Sequence, residues 1–178
     1  MFLIFISGII LFFYGLWYFG KNLPDYKELS QYNPNVVTRI HAGNGALLAE
    51  YAIEKRVFVP INVIPKDVIN AFISAEDKDF YKHFGLDIRA TFRALLTNIR
   101  NIGAGKRLIG ASTITQQVAK NFLLSSEVSF ERKIKEAILA IRIERAFSKN
   151  QILELYLNEI YLGFKSYGIA AASLNYFD

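Results

Sequence analysis

The sequence contains no cysteine among its 178 residues. Disulfide bonds and metal sites built on thiolates are therefore excluded. Histidine is nearly as scarce, since the whole chain has two. His83 has no other histidine near it in sequence, so a metal site centred on it is not expected. Its ring is expected instead to fix a loop by hydrogen bonds.

The chain also lacks the patterns that identify nucleic-acid-binding proteins. It has 21 basic residues against 16 acidic ones, a net charge of +5 and a pI of about 9.3. We find no zinc-finger spacing, no aromatic RNA-binding signature, no long basic run, no internal repeat and no low-complexity segment. The excess of positive charge therefore favours an anionic lipid surface or a phosphate-bearing substrate over nucleic acid.

Charge is absent from residues 2–20, a run of nineteen residues. This is about the length that crosses a bilayer, and Trp17 and Tyr18 lie where an aromatic belt is expected, before Lys21. A cleaved signal peptide would need a basic start and a small-residue cleavage site, which are missing. A buried core helix is the third interpretation, which the apolarity of the run on all sides disfavours. We therefore predict an uncleaved transmembrane anchor, whose orientation charge does not fix.

A polar linker and a folded domain follow the apolar run. Asn44 and Gly45 separate two loosely alternating runs, which predicts a β-hairpin, and residues 56–61 are predicted to add a third short strand. From Pro65 onward the pattern is helical, so the predicted fold class is mainly α. The predicted organisation is an anchor, a linker, a small β region and a helical domain, at residues 1–20, 21–34, 35–64 and 65–178.

The helical domain shows recognisable helix starts. A first helix is predicted from Pro65 to Glu76, and Asp87 is a good N-cap for the second. Ser112 is expected to cap the third, and Ser148 begins a capping box for the fifth. The remaining predicted segments are a fourth helix over 131–147, an end of the fifth helix at Gly163, and a packed segment over 168–177. The apolar face of the second helix is predicted to carry Ile88, Phe92, Leu95, Leu96 and Ile99, and that of the fourth helix Ile134, Ala137, Ile138 and Ile141.

The loop at residues 101–110 contains three glycines and the basic pair Lys106 and Arg107. Its Gly-Ala-Gly-Lys run suggests a phosphate-binding loop. That interpretation fails because Arg100 stands where the first glycine belongs, and Arg107 where serine or threonine belongs. A mobile basic loop is the better prediction.

Residues 75–87, AEDKDFYKHFGLD, place four carboxylates and a histidine in one short stretch. Glu76 follows an apolar helix face that includes Phe72 and Ile73, so its carboxylate is expected where a buried helix meets solvent. A carboxylate there is a candidate general base. The alternative is a charged helix end followed by a capped turn.

Two further helix faces carry polar side chains that suit an anionic substrate. The third helix has adjacent glutamines and then an ammonium and an amide, at Gln116, Gln117, Lys120 and Asn121. On the fourth helix Arg132, Lys133 and Glu136 share one face, because they lie three and four residues apart.

Four segments, in this order, resemble the signatures of the peptidoglycan glycosyltransferases, glycosyltransferase family 51. They are EDKDFYKHFGLD at 76–87, GASTITQQVAKN at 110–121, RKIKE at 132–136 with Ala140 and Glu144, and KNQILELYLNEIYLG at 149–163. The resemblance covers residues 35–178 and is very specific. With the hairpin before it, the chain is most similar to the class A penicillin-binding proteins, whose N-terminal half is this transferase.

The resemblance implies a lysozyme-like, mostly helical fold behind one transmembrane helix, on the outer or periplasmic side of the bacterial cytoplasmic membrane. It implies a hexosyltransferase that polymerises lipid II into β-1,4-linked glycan strands and releases undecaprenyl diphosphate, with inversion at the anomeric carbon. The implied partners are lipid II, the growing glycan strand, the cytoplasmic membrane and other cell-wall synthesis proteins. No organic cofactor and no nucleic acid are expected.

The family motifs also assign roles to residues. Glu76 is expected to act as the catalytic base, and Glu136 to support the donor side electrostatically, directly or through Mg²⁺ or another divalent cation. An ordinary salt bridge to Arg132 is the alternative for Glu136. The expected cationic partners of the departing pyrophosphate are Lys120, Arg132 and Lys133.

Asp77 is expected to support Glu76 and to take part in substrate binding, with a helix-end cap as the alternative. Hydrogen bonds to sugar and phosphate oxygens are expected from Ser112, Gln117 and Asn121. Two aromatic side chains of the signatures, Phe80 and Tyr156, are expected in the core.

The sequence departs from the family at its end, where a fifth, proline-containing signature is missing. An incomplete transferase domain is therefore predicted, and the sequence does not tell whether a transpeptidase domain follows. Two alternatives to a transferase stay open. One is a lysozyme-like lytic enzyme that cleaves peptidoglycan with two carboxylates, and the other is an inactive, truncated, membrane-anchored fragment.

Overall fold

The computed structural model describes residues 2–31, 38–51, 55–125, 127 and 129–177. The described residues are mainly helical, as predicted. The helices are α1 (Phe2–Gly20), α2 (Lys66–Glu76), α3 (Ile88–Gly103), α4 (Ile114–Leu123), α5 (Phe130–Ala146), α6 (Lys149–Glu159) and α7 (Ile169–Phe177). Short 3₁₀ turns lie at Tyr26–Gln31, Ile61–Val63 and Phe80–Lys82. Residues 32–37 and 52–54 of the predicted linker and β region lie outside the described residues.

The predicted hairpin is confirmed. Strands β1 (Thr38–His41) and β2 (Leu47–Tyr51) pair antiparallel, and Gly45 has a φ of +83°, which the turn requires and a side chain would disfavour. The third strand differs from its prediction. Strand β3 is only Lys55–Arg56, and it pairs in parallel with β4 (Ser166–Tyr167) instead of extending the hairpin. The segment from there to Ile61 is not strand, and the backbone groups of Val59 and Ile61 bond to side chains of α6 instead.

That bonding fastens the segment after β3 to α6. The amide of Asn158 both accepts from Val59 N at 2.8 Å and donates to Val59 O at 2.9 Å. Ile61 N donates to Glu154 Oε2 at 2.7 Å. Arg56 forms an ion pair with Glu159. The β region is therefore tied to the helical domain through side chains of one helix.

The core lies between α4, α5 and α6. Fully buried side chains from all three helices meet there, and Phe80 and Tyr156 are 0% and 1% exposed, as predicted. The buried stripe of α5 is shifted from its prediction. It consists of Glu136, Leu139, Ala140 and Ile143, whereas Ile141 is exposed and Ile134, Ala137 and Ile138 are half-buried. The apolar periodicity of the sequence did not predict a polar residue, Glu136, within this buried stripe.

Helix α3 has an apolar face with no cover among the described residues. Asp87 caps its start as predicted, accepting from Ala90 N at 2.8 Å. Its predicted apolar face is at least 47% exposed at every position, namely Ile88, Phe92, Leu95, Leu96 and Ile99. The helix also continues to Gly103, so the basic loop begins later than predicted.

Helix α1 contacts α5, and Arg142 Nη2 donates to Gly20 O at 3.1 Å. Most of its described apolar side chains are exposed. Within the part of the chain that the structure describes, no helix is long and apolar enough to cross a membrane. The predicted transmembrane anchor is therefore not confirmed.

Candidate active site

Glu76 is the last residue of α2, where its side chain is exposed. The helix ends there because the backbone of Asp77 leaves helical geometry. Gln117 on α4 donates from Nε2 to Glu76 Oε2 at 2.8 Å. The amide orients the carboxylate without neutralising it, so a lone pair remains for a proton.

Asp77, the next residue, points into the protein and is 7% exposed. Its Oδ1 lies 2.9 Å from His83 Nε2, and its Oδ2 accepts from Ile114 N at 3.1 Å. Asp77 therefore joins the end of α2 to the following loop and to the start of α4. The predicted loop-fixing role of His83 is confirmed, while the placement of Asp77 favours a supporting role over direct contact with substrate.

The start of α4 differs from its prediction. Its N-cap is Thr113, which forms a capping box with Gln116, whereas Ser112 was expected to cap it. Ser112 Oγ instead accepts from Lys133 Nζ at 2.7 Å. Thr113 also donates from Oγ1 to Gly85 O at 2.6 Å, which fixes the loop against α4.

Glu136 lies on the buried stripe of α5 and is 1% exposed. Its Oε1 accepts from Arg132 Nη1 at 2.9 Å, and its Oε2 accepts from Lys133 Nζ at 2.6 Å. Charge-assisted hydrogen bonds of this kind are the strong ones. Glu136 therefore holds two cations side by side, and the salt bridge to Arg132 foreseen as an alternative is present.

A cavity of about 620 Å³ brings most of the predicted site residues together. The charged and amide side chains that line it are Glu76, Arg107, Gln116, Gln117, Lys120, Arg132, Lys133 and Glu136, with Ser112 beside them. Asn121 is exposed and does not belong to this lining. The cavity joins one carboxylate with free lone pairs to four cationic side chains.

Arg107 is the lining residue that sequence reasoning did not assign to the site. It was placed in a basic loop, but nothing in the spacing told which way that loop folds. The turn at the end of α3 is set by Asn98, which accepts from Ile109 N at 2.7 Å and donates to Ile109 O at 2.9 Å. A hydrogen bond between an amide side chain and a loop residue eleven positions away leaves no periodic pattern in the sequence.

A second cavity, of about 300 Å³, meets the first at Glu76. Both are lined by Ala75, Glu76, Gly110 and Ser112. The second also includes Lys78, Asp87, Arg93 and Thr97. Glu76 therefore lies between the two cavities. Its carboxylate can take a proton from a group bound in one cavity while that group reacts with a molecule bound in the other.

The surroundings of Glu136 do not fit a protein-held Mg²⁺. Both of its oxygens already bind cations, and oxygen-rich sites for Mg²⁺ usually gather carboxylates and water. Among the described residues no group of three or more histidine, aspartate or glutamate side chains could hold a metal. Hydrolysis by two carboxylates fits no better, because a glutamate bound by two cations is a poor acid or nucleophile.

The chain was compared with known proteins. Residues 44–178 match the family model described as Transglycosylase. A penicillin-binding protein 1A of Rickettsia bellii is 53% identical over 176 residues, covering 99% of this chain and 22% of that protein. Penicillin-binding protein 1A of Rickettsia felis is 56% identical over 165 residues, covering 93% and 21%. That of Aquifex aeolicus is 48% identical over 170 residues, covering 96% and 23%.

The chain spans about a fifth of the length of the curated relatives it matches. The family model, by contrast, covers most of the chain, including Glu76, the cationic cluster on α5 and the polar face of α4. The residues that form the cavity thus lie within the matched region. Family match and cavity geometry agree, and the chain belongs to the transglycosylase family.

Proposed function

We propose that this chain is a peptidoglycan glycosyltransferase with a lysozyme-like fold, which polymerises lipid II into β-1,4-linked glycan and releases undecaprenyl diphosphate. The observation that carries the proposal is the cavity that faces Glu76 with four cations. A transferase acting on a lipid diphosphate needs both a base for the acceptor and cationic partners for the leaving group. The family match and the penicillin-binding relatives support the same reaction.

Glu76 is the base in this reaction. The 4-hydroxyl of the incoming lipid II gives its proton to the carboxylate as its oxygen attacks the anomeric carbon of the donor. The Gln117 amide holds the carboxylate at 2.8 Å, so its orientation is set before substrate arrives. The new C–O bond forms on the side opposite the departing diphosphate, which inverts the anomeric carbon.

The diphosphate leaves against the cationic side of the cavity. Arg132 and Lys133 are held in place by Glu136, and Lys120 and Arg107 line the same space. Positive groups fixed in advance stabilise charge that develops on the leaving oxygen without having to reorganise. The Arg132 guanidinium lines the cavity and uses Nη1 for Glu136, so its other terminal nitrogen retains donor capacity for phosphate. A divalent cation suits the substrate diphosphate better than Glu136.

The two cavities give each substrate its own space. The donor glycan with its diphosphate occupies the cationic cavity, and the acceptor sugar occupies the cavity lined by Arg93 and Thr97. Asp77 supports Glu76 from behind, and Ser112 lies between the two spaces. Asn121, outside the lining, belongs to substrate binding only if the glycan extends beyond the cavity.

The proposed reaction calls for a location at a membrane, since its substrate carries a long lipid. Helix α1 exposes Ile10, Leu11, Phe13 and Trp17, each at least 61% exposed. We propose that α1 associates with the cytoplasmic membrane as a single-pass anchor, with the cavity on the outer or periplasmic side. The growing strand and other cell-wall synthesis proteins are the further partners in this proposal.

The test is glycan formation from labelled lipid II in detergent, with this chain and its Glu76→Gln variant. The parent is expected to form polymer, and the variant to lose about 10²–10⁴-fold in rate while still binding lipid II. Release of sugar from purified peptidoglycan without lipid II would favour the lytic alternative. Lipid II binding without turnover in a folded parent would favour the inactive fragment.

A further inference from the structure

An ion pair lies behind the loop that carries His83, and the reaction above does not use it. The side chains of Glu144 and Lys149 are 4% and 21% exposed. Lys149 Nζ donates to Glu144 Oε1 at 2.7 Å. The same oxygen accepts from Thr115 Oγ1 at 2.6 Å. The pair therefore joins α4, α5 and α6 at one point, away from the lining of the cationic cavity.

Lys149 also reaches the loop itself. Its Nζ donates to His83 O at 2.8 Å, and it lies 4.2 Å from the centroid of the buried Phe80 ring. An ammonium bound at once by a carboxylate, a carbonyl and an aromatic face has little freedom to move. The backbone of the loop is thereby fixed from the α6 side.

The position of the loop in turn fixes the end of α2. His83 Nε2 lies 2.9 Å from Asp77 Oδ1, and Asp77 Oδ2 accepts from the backbone of Ile114. Asp77 directly follows Glu76. A displacement of His83 would therefore release Asp77 and with it the backbone that carries Glu76.

Gly85 shows how tightly the same loop lies on α5. Its φ is +86°, and a Cβ at this position would lie 2.7 Å from Ala140 O. Direct backbone contact on the α5 side and the ammonium on the α6 side hold opposite ends of one short segment.

We propose that Lys149 and Glu144 are positioning residues for Glu76, acting through His83 and Asp77. The proposal rests on the function proposed above, because it gives Glu76 its task. An apolar pair could fill the same space, but it could not bind the carbonyl of His83. The Lys149–Glu144 ion pair contributes to the reaction rate through geometry, since a displacement of about 1 Å at a reacting group can cost about 10²-fold in rate.

The activity test compares Lys149→Met with the parent. Methionine keeps the length and helix propensity of the side chain but removes its charge and donors. The expected result is a fall in kcat of about 10- to 100-fold with KM changed less than about 2-fold, and partial recovery in Lys149→Arg. Lys135→Met is the matched control, since it breaks the ion pair with Glu131 elsewhere on α5 and should leave kcat unchanged.

A second readout does not depend on activity. The Ile114 amide is bonded to Asp77, so its hydrogen exchange reports whether Asp77 is in place. Exchange at Ile114 is expected to rise about ten-fold or more in Lys149→Met, with Leu157 in α6 unchanged and no effect in Lys135→Met. Unchanged kcat, or unchanged Ile114 exchange, in a folded Lys149→Met would overturn the proposal, as would a uniform rise in exchange.

The two readouts separate this inference from the proposed function. If the parent forms no polymer while Ile114 exchange still responds to Lys149→Met, the proposed reaction is wrong and the mechanical link from Lys149 to Asp77 stands. If the parent forms polymer and Glu76→Gln abolishes it, but Lys149→Met changes neither readout, the function stands and the positioning role is wrong.

Discussion

The two glutamates of the cavity have opposite surroundings. Glu76 is exposed at a helix end and accepts a hydrogen bond from a neutral amide. Glu136 is 1% exposed and is bound through both oxygens by cations. One negative charge is thus left available to a substrate, while the other is compensated within the protein.

This difference assigns the two residues different tasks. A general base needs an exposed lone pair that is not occupied by a cation, and of these two glutamates only Glu76 offers one. A buried carboxylate between two cations is instead a fixed part of the electrostatic environment. Glu136 holds the side chains of Arg132 and Lys133, which lie four and three residues before it on the same helix. Two residues of the same type therefore serve proton transfer and preorganisation respectively.

The largest effect expected to separate the two glutamates is on the stability of the fold when each is substituted. Glu136→Gln leaves Arg132 and Lys133 close together without their counter-charge, so the free energy of unfolding is expected to fall by about 3 kcal/mol. Glu76→Gln should change it by less than about 0.5 kcal/mol, because the site is exposed. Chemical denaturation of both variants at neutral pH measures the difference. Equal destabilisation by the two substitutions would contradict the comparison.

The next effect concerns the orientation of Glu76. Gln117→Leu removes the amide donor but no charge, so kcat is expected to fall about ten-fold while the stability changes little. Initial rates of polymer formation over a range of lipid II concentrations measure it. Asn150→Leu, at an exposed position of α6, is the control and should have no effect on rate. A loss confined to KM would mean that Gln117 binds substrate instead.

The outcome for the helices shows what local sequence determines. The caps at Asp87 and Ser148 and the Asn44–Gly45 turn were predicted correctly, because each depends on bonds within four residues. The buried stripe of α5 was predicted wrongly. Its position depends on which neighbours pack against the helix, and the core includes Glu136 because partners on the same helix compensate its charge.

The cavity was predictable in its chemistry but only partly in its membership. Family resemblance identified Glu76, Glu136 and the cations of α4 and α5, and the structure brings these together. The resemblance gave no place to Arg107, which a loop amide brings in. The capping pattern, in turn, assigned the start of α4 to Ser112, although Thr113 has that role. Contacts between segments distant in sequence are what a single chain's pattern does not record.

The smallest expected effect tests whether the charge of Glu76 is uncompensated. Tyr156 is 1% exposed, and its hydroxyl has no hydrogen-bond partner among the described residues. Burial raises the pKa of Tyr156, and the negative charge of Glu76 raises it further. Tyr156→Phe is therefore expected to leave stability at neutral pH unchanged or raise it by about 1 kcal/mol, since it removes a buried hydroxyl without a partner.

The pH dependence follows from the sign of that shift. In the unfolded chain tyrosine ionises near pH 10, while in the folded chain Tyr156 stays neutral to higher pH. The unfolded state therefore gains from ionisation first, and the parent should lose stability as pH rises above about 10. Tyr156→Phe should lose less stability over the same pH range. Glu76→Gln should also lose less than the parent, because part of the pKa shift of Tyr156 comes from the Glu76 charge.

Tyr161→Phe, at a ring that is 56% exposed, is the control. Identical alkaline unfolding of the parent and Tyr156→Phe would mean that neither burial nor Glu76 acts on this hydroxyl, and the contrast between the two glutamates would lose its electrostatic support.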